Sequence, residues 1–255
     1  MKTVLITGAG ARIGRHFAKG LAADGWSVVV HYSRSHKGAE ALADEIKADG
    51  GQAAIVKANL VIPDDVSTLI SHAAEAAGTP LTALINNAST FKDDRADDFT
   101  SNLLDHHMDV NLRAPLTLAR DFARQCPKQA DGCILNMIDN RVLKPNPLFF
   151  TYSLSKASLY WATRTLAQSL APDIRVNGIG PGPTLQNTGQ SEADFAREAA
   201  HTLLEKSSSL DDLLNACRYL LSAPSVTGQM LCVDSGQHLT WKTEDVLAGG
   251  IKDEA

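Results

Sequence analysis

Tyr152 and Lys156 stand four residues apart in a stretch of helical length, a spacing that puts both side chains on one helix face. A phenol with an ordinary pKa near 10 is a poor acid–base catalyst at neutral pH. A neighbouring ammonium favours the phenolate, so the pair reads as a coupled proton-transfer site with a lowered tyrosine pKa. Tyr-x-x-x-Lys is common by chance. Its place after the fifth strand-like run, with a glycine-rich loop far upstream, makes it specific.

That loop, Thr7-Gly8-Ala9-Gly10-Ala11-Arg12-Ile13-Gly14, follows the first strand-like run and opens the first helical stretch. Glycines there let the backbone approach a pyrophosphate, and the helix N-terminus offers free N–H groups and the positive end of a dipole. Gly8, Arg12, Ile13 and Gly14 are therefore candidate dinucleotide ligands. Arg12 stands where such loops often carry glycine, and its guanidinium either reaches a phosphate or substrate or is an exposed first-turn arginine. The second strand runs out into Tyr32-Ser33-Arg34-Ser35 with no Asp or Glu to hold a ribose 2′-hydroxyl. Arg34 between two serines suits a 2′-phosphate, which favours NADPH over NADH. Asn59-Leu60 follows the third strand, where the Asn59 carbonyl can take an adenine amino group or cap the next turn.

The elements that must position these groups alternate. Strand-like runs fall at 4–6, 27–31, 53–56, 83–86, 133–138, 175–179 and 230–233, with amphipathic stretches such as 14–23 and 39–47 between them. This order predicts a Rossmann-type, doubly wound parallel sheet of α/β class, a three-layer α/β/α single domain over residues 1–243. Asp24-Gly25, Asp49-Gly50-Gly51 and Gly78-Thr79-Pro80 end the early helices. Residues 244–255 lack a periodic pattern and read as a mobile tail or an arm on a neighbouring subunit. A formal charge of −5 argues against a general nucleic-acid or anionic-membrane surface. No apolar run approaches the ~20 residues of a membrane helix. Without a leader-like N-terminus the chain reads as cytoplasmic. Cys126, Cys133, Cys217 and Cys232 show no C-x-x-C spacing and read as reduced, mostly buried thiols.

Together, Thr7-Gly8 to Gly14, Asn86-Asn87-Ala88, Asn111, Tyr152-x-x-x-Lys156, Pro181-Gly182 and Val233-Asp234-x-Gly236 resemble the short-chain dehydrogenase/reductase family over nearly the whole chain. The resemblance implies that Tyr152 is the proton donor and that Lys156 binds the nicotinamide ribose. Asn111 would support the lysine through a proton relay, Asn87 and Ala88 would lie along the cofactor, and Pro181-Gly182 would border the nicotinamide. Thirteen residues before the tyrosine, where the family usually has serine, this chain has Asp139. That departure, with Arg12, the 31–35 segment and Ser89-Thr90-Phe91 after Asn-Asn-Ala, is similar to the pteridine reductases and bacterial dihydromonapterin reductases. In that branch the aromatic at Phe91 stacks a pterin against the nicotinamide, and Ser89 lies beside both ligands. Read without the branch, Phe91 is a core aromatic or a lid residue. Family membership also implies a homotetramer, with helices near Asn111 and after Tyr152, carrying Leu159, Trp161 and Leu166, across an interface.

The chemistry agrees with the branch. Ring C=N reduction puts hydride on carbon and a proton on nitrogen, and a carboxyl group beside tyrosine can shuttle that proton or hold amino-pterin donors. The sequence therefore points to an NADPH-dependent reductase of a pterin such as dihydromonapterin, dihydrobiopterin or dihydrofolate. A ketone or 3-oxoacyl reductase on the same fold is the rival, and a catalytically weak NADPH-binding regulator stands behind both. His106-His107 reads as a solvated helix rather than a metal site, since neighbouring histidines do not share a face. Asp93, Asp94, Asp97 and Asp98 read as a soluble loop and helix start. Residues 144–147 and 184–191 read as substrate walls and lid.

Overall fold

Val4 and Ile6 enter one apolar core and Leu5 the other, so the first strand already divides the molecule into layers. The computed structural model describes residues 2–187 and 189–243. The strands are β1 (Thr3–Ile6), β2 (Ser27–Tyr32), β3 (Gln52–Lys57), β4 (Ala83–Asn86), β5 (Gly132–Met137), β6 (Ile174–Pro181) and β7 (Met230–Val233). Between them run α1 (Arg12–Ala23), α2 (His36–Ala48), α3 (Pro63–Ala77), α4 (Ser101–Met108), α5 (Ala114–Gln125), α6 (Phe150–Leu170), α7 (Glu192–Ala200) and α8 (Leu210–Ser222). A π-helical turn, Asp109–Arg113, joins α4 to α5. The sheet order is β3-β2-β1-β4-β5-β6-β7 with every pair parallel. This is the predicted doubly wound sheet, and each predicted strand lies within two residues of its observed bounds.

Burial drives the layering. On one face Phe17 and Leu21 of α1, Leu42 of α2 and Leu213 of α8 pack on Val4, Val28 and Ile85. On the other, Leu69 of α3, Leu118 and Phe122 of α5 and Ala167 of α6 cover Leu5, Val29, Leu84 and Ile134. Each large apolar side chain removed from water contributes about 1.5–3 kcal/mol. Strands buried on both faces read as near-continuous apolar runs, which is how β1, β2 and β4 appear in the sequence. Gly78, at φ +66°, takes the left-handed turn that ends α3.

The register sets the site. Ile6 pairs with Val30 and Ile85, and Asn86 with Asn136, so the carboxyl ends of β1, β2, β4 and β5 finish at one sheet edge. The crossing point between β1 and β4 opens a crevice there, the place where open α/β sheets bind ligands.

Three sequence expectations change. His107 is fully buried rather than solvated, and Asp94 is buried rather than in a soluble loop. The acidic run does not start a helix; α4 begins at Ser101 on a Thr100 cap. On α6, Leu159 is buried in its own subunit and Leu166 packs against the second core, so of the three proposed interface residues only Trp161 is exposed. Cys133 and Cys217 are buried, Cys126 and Cys232 half-buried, and all four are free thiols. The tail expectation for 244–255 lies outside the described residues. Among the described residues no helix is long and apolar enough to cross a membrane.

Candidate active site

A cavity of about 420 Å³ opens at the carboxyl edge of the sheet. Its floor is the loop after β1. Gly8 sits at φ +64°, and a Cβ there would come within 3.0 Å of Ala88 Cα. At Gly14 a Cβ would fall 2.6 Å from Asn87 Nδ2 and 2.7 Å from the Gly8 carbonyl, so α1 can reach this close only with glycine. Thr7 ties the two loops, its hydroxyl accepting the Asn87 and Ala88 amides at 2.9 and 3.0 Å. His31 buttresses them from below. Its Nδ1 accepts the Gly8 amide at 3.0 Å while Nε2 lies 3.1 Å from the Ala58 carbonyl, and burial holds the imidazole down at about 4. The amino end of α1 has no side-chain cap and no acid in its first turn, which leaves its amides and dipole free for an anion.

Arg12 occupies φ +53°, the region that explains why similar loops carry glycine there. A non-glycine residue in it costs about 1–2 kcal/mol. The guanidinium spans the cavity mouth toward the Leu185 carbonyl, 3.5 Å away. Arg34 is exposed at the end of β2 and forms no ion pair among the described residues, so it is open to a 2′-phosphate. Tyr32, Ser33, Ser35 and Leu60 lie with it beyond the main cavity, at the ends of β2 and β3. Asn59 is engaged locally: its side-chain oxygen takes the Val61 amide at 3.3 Å, the capping alternative. Gly8, Arg12, Ile13, Gly14, Asn87, Ala88 and Ser89 on one side, and Pro181 and Gly182 on the other, line the cavity. This cradle, the free helix end and Arg34 fit a phosphorylated dinucleotide.

The chemistry sits at the far wall. Tyr152 donates to Asp139 Oδ2 at 2.8 Å. Asp139 caps a short turn, its Oδ1 accepting the Arg141 amide at 2.8 Å, and Arg141 Nη1 returns to Oδ2 at 3.2 Å. Burial pushes the Tyr152 phenol well above its ordinary pKa, and the Asp139 charge and hydrogen bond push it further, against the opposing Arg141 charge. This corrects the expectation that the neighbouring lysine lowers the Tyr152 pKa. The Lys156 ammonium is directed to the Met137 carbonyl at 2.7 Å and stands 5.8 Å from the Tyr152 ring centre, so it does not offset burial. Burial also draws Lys156 down to about 8. Tyr152 thus holds its proton at neutral pH, as a group that is to donate one must.

Asn111, in the π-helical turn, does not touch Lys156. Its Oδ1 accepts Ser89 Oγ at 3.0 Å and the Thr90 amide at 2.9 Å, and its Nδ2 donates to Thr90 O and Ser155 Oγ, each at 3.0 Å. It ties the loop after β4 to α6. Phe91 lines the cavity, meets Tyr152 edge-on at 4.7 Å and is backed by Phe149, stacked at 4.1 Å.

Several residues escaped the sequence reading. Arg141 belongs to the site through Asp139 and approaches the Phe91 and Phe149 rings at 5.5 and 5.2 Å; a basic residue two places after Asp139 was the available signal. Asn140, Gln190, Glu198 and Gln237 add a polar wall, and nothing local marks them. Of the two expected loops, Leu185, Asn187 and Gln190 of 184–191 line the cavity, but 144–147 do not. Lys144 turns away to hydrogen-bond Thr240. Among the described residues no group of three or more His, Cys, Asp or Glu could hold a metal.

Comparison with known proteins agrees with this geometry. The family model described as short chain dehydrogenase matches residues 2–197. The structures of FolM alternative dihydrofolate reductase 1 from Brucella canis and Brucella suis, both complexed with NADP, are each 42% identical to this chain with a TM-score of 0.93. The alignments cover 96% of this chain and 97% and 98% of those chains. The 3-oxoacyl-[acyl-carrier-protein] reductase FabG of Staphylococcus epidermidis is 30% identical over 243 residues, 93% of this chain and 99% of that protein. The chain belongs to the short-chain dehydrogenase/reductase family.

Proposed function

We propose that this short-chain dehydrogenase/reductase reduces a C=N bond of a pterin, of the dihydromonapterin, dihydrobiopterin or dihydrofolate kind, with NADPH. The observation that carries the reading is the 2.8 Å bond from Tyr152 to Asp139, beside a cavity-facing Phe91. The likeness to the FolM alternative dihydrofolate reductases supports both substrate and cofactor.

NADPH, when bound, supplies the hydride. Gly8, Arg12, Ile13, Gly14 and the α1 amides would hold its pyrophosphate, Arg34 its 2′-phosphate, and Asn87, Ala88, Ser89, Lys156, Pro181 and Gly182 its nicotinamide end. As the ring carbon gains hydride, the adjacent nitrogen takes the Tyr152 proton. The buried phenol holds that proton until a base is presented. Solvent replaces it through Asp139, which keeps a lone pair on Oδ1 for a substrate N–H. Phe91 offers a flat apolar face, and Arg141 keeps the carboxylate oriented.

Ketone or 3-oxoacyl reduction is the second reading, favoured by the FabG relatives. A developing alkoxide beside Asp139 is repelled, whereas pterin amide and amino donors are attracted. A purely regulatory NADPH binder would have no use for the Asp139–Tyr152 pair. Leu154 and Trp161, seven residues apart and exposed on one face of α6, support a homotetramer. Free thiols support a cytoplasmic setting.

The test is NADPH oxidation across a panel of dihydropterins, dihydrofolate and an acetoacetyl thioester. Turnover of a dihydropterin well above the thioester is expected. Turnover of the thioester alone overturns the reading.

A further inference from the structure

Behind the tyrosine lies a buried polar chain that the proposed reaction does not use. Lys92 N–H donates to His107 Nε2 at 3.3 Å. A backbone amide can only donate, so Nε2 is the acceptor and the neutral ring carries its proton on Nδ1. That nitrogen lies 2.7 Å from Thr151 Oγ1, which therefore accepts from it. The threonine's own proton points to Asp94 Oδ2, and Asp94 Oδ1 accepts the Thr151 amide at 3.0 Å. Every donor and acceptor runs one way, from Lys92 through His107 and Thr151 to Asp94. All three side chains are buried, and burial keeps the His107 imidazole below its ordinary pKa, as a neutral ring requires.

The chain has a mechanical consequence. Thr90 is held by Asn111, Lys92 by His107 and Asp94 by Thr151. The Asp94 carbonyl and the Asp93 carboxylate also take the Phe150 and Phe149 amides, so the acidic pair caps α6 from across the sequence. Phe91 is the residue between these anchors. Thr151 immediately precedes Tyr152, so the network anchors the aromatic wall to the helix turn beside the phenol, while the phenol itself is held separately by Asp139.

We propose that His107, Thr151 and Asp94 are positioning residues that fix Phe91 against Tyr152 and thereby set affinity for whatever substrate group packs on the Phe91 face. That this group is a pterin ring rests on the proposed function; the clamp itself does not.

The test compares Thr151→Val, which keeps shape and removes the hydroxyl, with Thr151→Ser, which restores it. His107→Phe and His107→Gln form a second pair, since glutamine can both accept and donate. Kinetics use whichever substrate the wild type turns over fastest, dihydropterin or thioester. NADPH affinity is read by fluorescence titration. ¹⁵N NMR reads the His107 tautomer in the wild type, which needs no variant to fold. The tautomer is expected to be Nδ1–H. Thr151→Val and His107→Phe should raise substrate KM about tenfold, the scale of one lost buried hydrogen bond. Turnover number and NADPH affinity should stay within about threefold, and serine and glutamine should return KM to near wild type. An Nε2–H tautomer overturns the clamp. So does a KM unchanged by both disabling variants, or equal losses in NADPH and substrate binding. A wild type inert toward every dihydropterin overturns the proposed function alone, because the clamp is then judged on the thioester.

Discussion

Asp139 Oδ2 lies 2.8 Å from the Tyr152 hydroxyl and 3.2 Å from Arg141 Nη1, so one carboxylate oxygen joins the buried phenol to a fixed positive charge. A serine hydroxyl at 139 could accept from the phenol but would bring no charge to pair with the guanidinium.

The first prediction follows from that oxygen. Removing a general acid typically lowers a rate about 10²–10⁴-fold. Tyr152→Phe and Asp139→Ala should each fall in that range with a dihydropterin under saturating NADPH. Asp139→Ser should lose pterin turnover and gain measurable activity on a simple ketone. If Asp139→Ser reduces pterins at the wild-type rate, the carboxylate has no part in the proton transfer.

Phe91 gives a different signature. Its ring is backed by Phe149 and lines the cavity, so its contacts are made before and during hydride transfer alike. Phe91→Ala should raise KM for the flat substrate by about tenfold while turnover changes far less, since uniform binding shows in KM. A fall in turnover number at constant KM would instead place Phe91 among the groups felt only in the transition state.

Cofactor choice turns on Arg34, exposed at the end of β2. A hydrogen bond to a charged group is worth about 1.5–3 kcal/mol, or roughly tenfold or more in affinity. Arg34→Ala should therefore weaken NADPH by at least about tenfold and leave NADH nearly unchanged, read by titration of each. Equal losses for both would remove Arg34 from the 2′-phosphate.

His31 links acid stability to the glycine loop. The unfolded imidazole takes a proton below about 6.5, whereas the buried one resists until about 4. The unfolded state binds more protons across that window, so stability is fully present above pH 6.5 and is lost as pH falls toward 4. The loss attributable to this group is about 3 kcal/mol as an order of magnitude. Urea titrations at pH 7 and 4.5 should show a smaller drop for His31→Gln than for wild type. Identical drops would mean that other groups carry the acid sensitivity.

Much of this molecule was legible before any coordinates. Strands buried on both faces must be runs of apolar and β-branched residues, so β1, β2, β4 and β5 announce themselves, and their alternation with helices admits few topologies. The glycine loop was legible because backbone constraints are local: Gly8 and Gly14 stand where a Cβ has no room, and Arg12 stood out where such loops often carry glycine, although its left-handed backbone was visible only in the structure. Tyr152 and Lys156 were legible because helical spacing fixes their shared face. What the tertiary structure decided was electrostatic and long-range. Burial reversed the expected direction of the Tyr152 pKa, since desolvation depends on everything packed around the phenol rather than on the lysine one turn away. His107 and Asp94 looked solvated because each is polar with charged neighbours in sequence. Their partner Thr151 is 44 residues from one and 57 from the other, and only the packing of α4 and the 89–95 loop on α6 makes burial of both tolerable. Gln190, Glu198 and Gln237 reach the cavity the same way, by the return of distant chain, which no local spacing encodes.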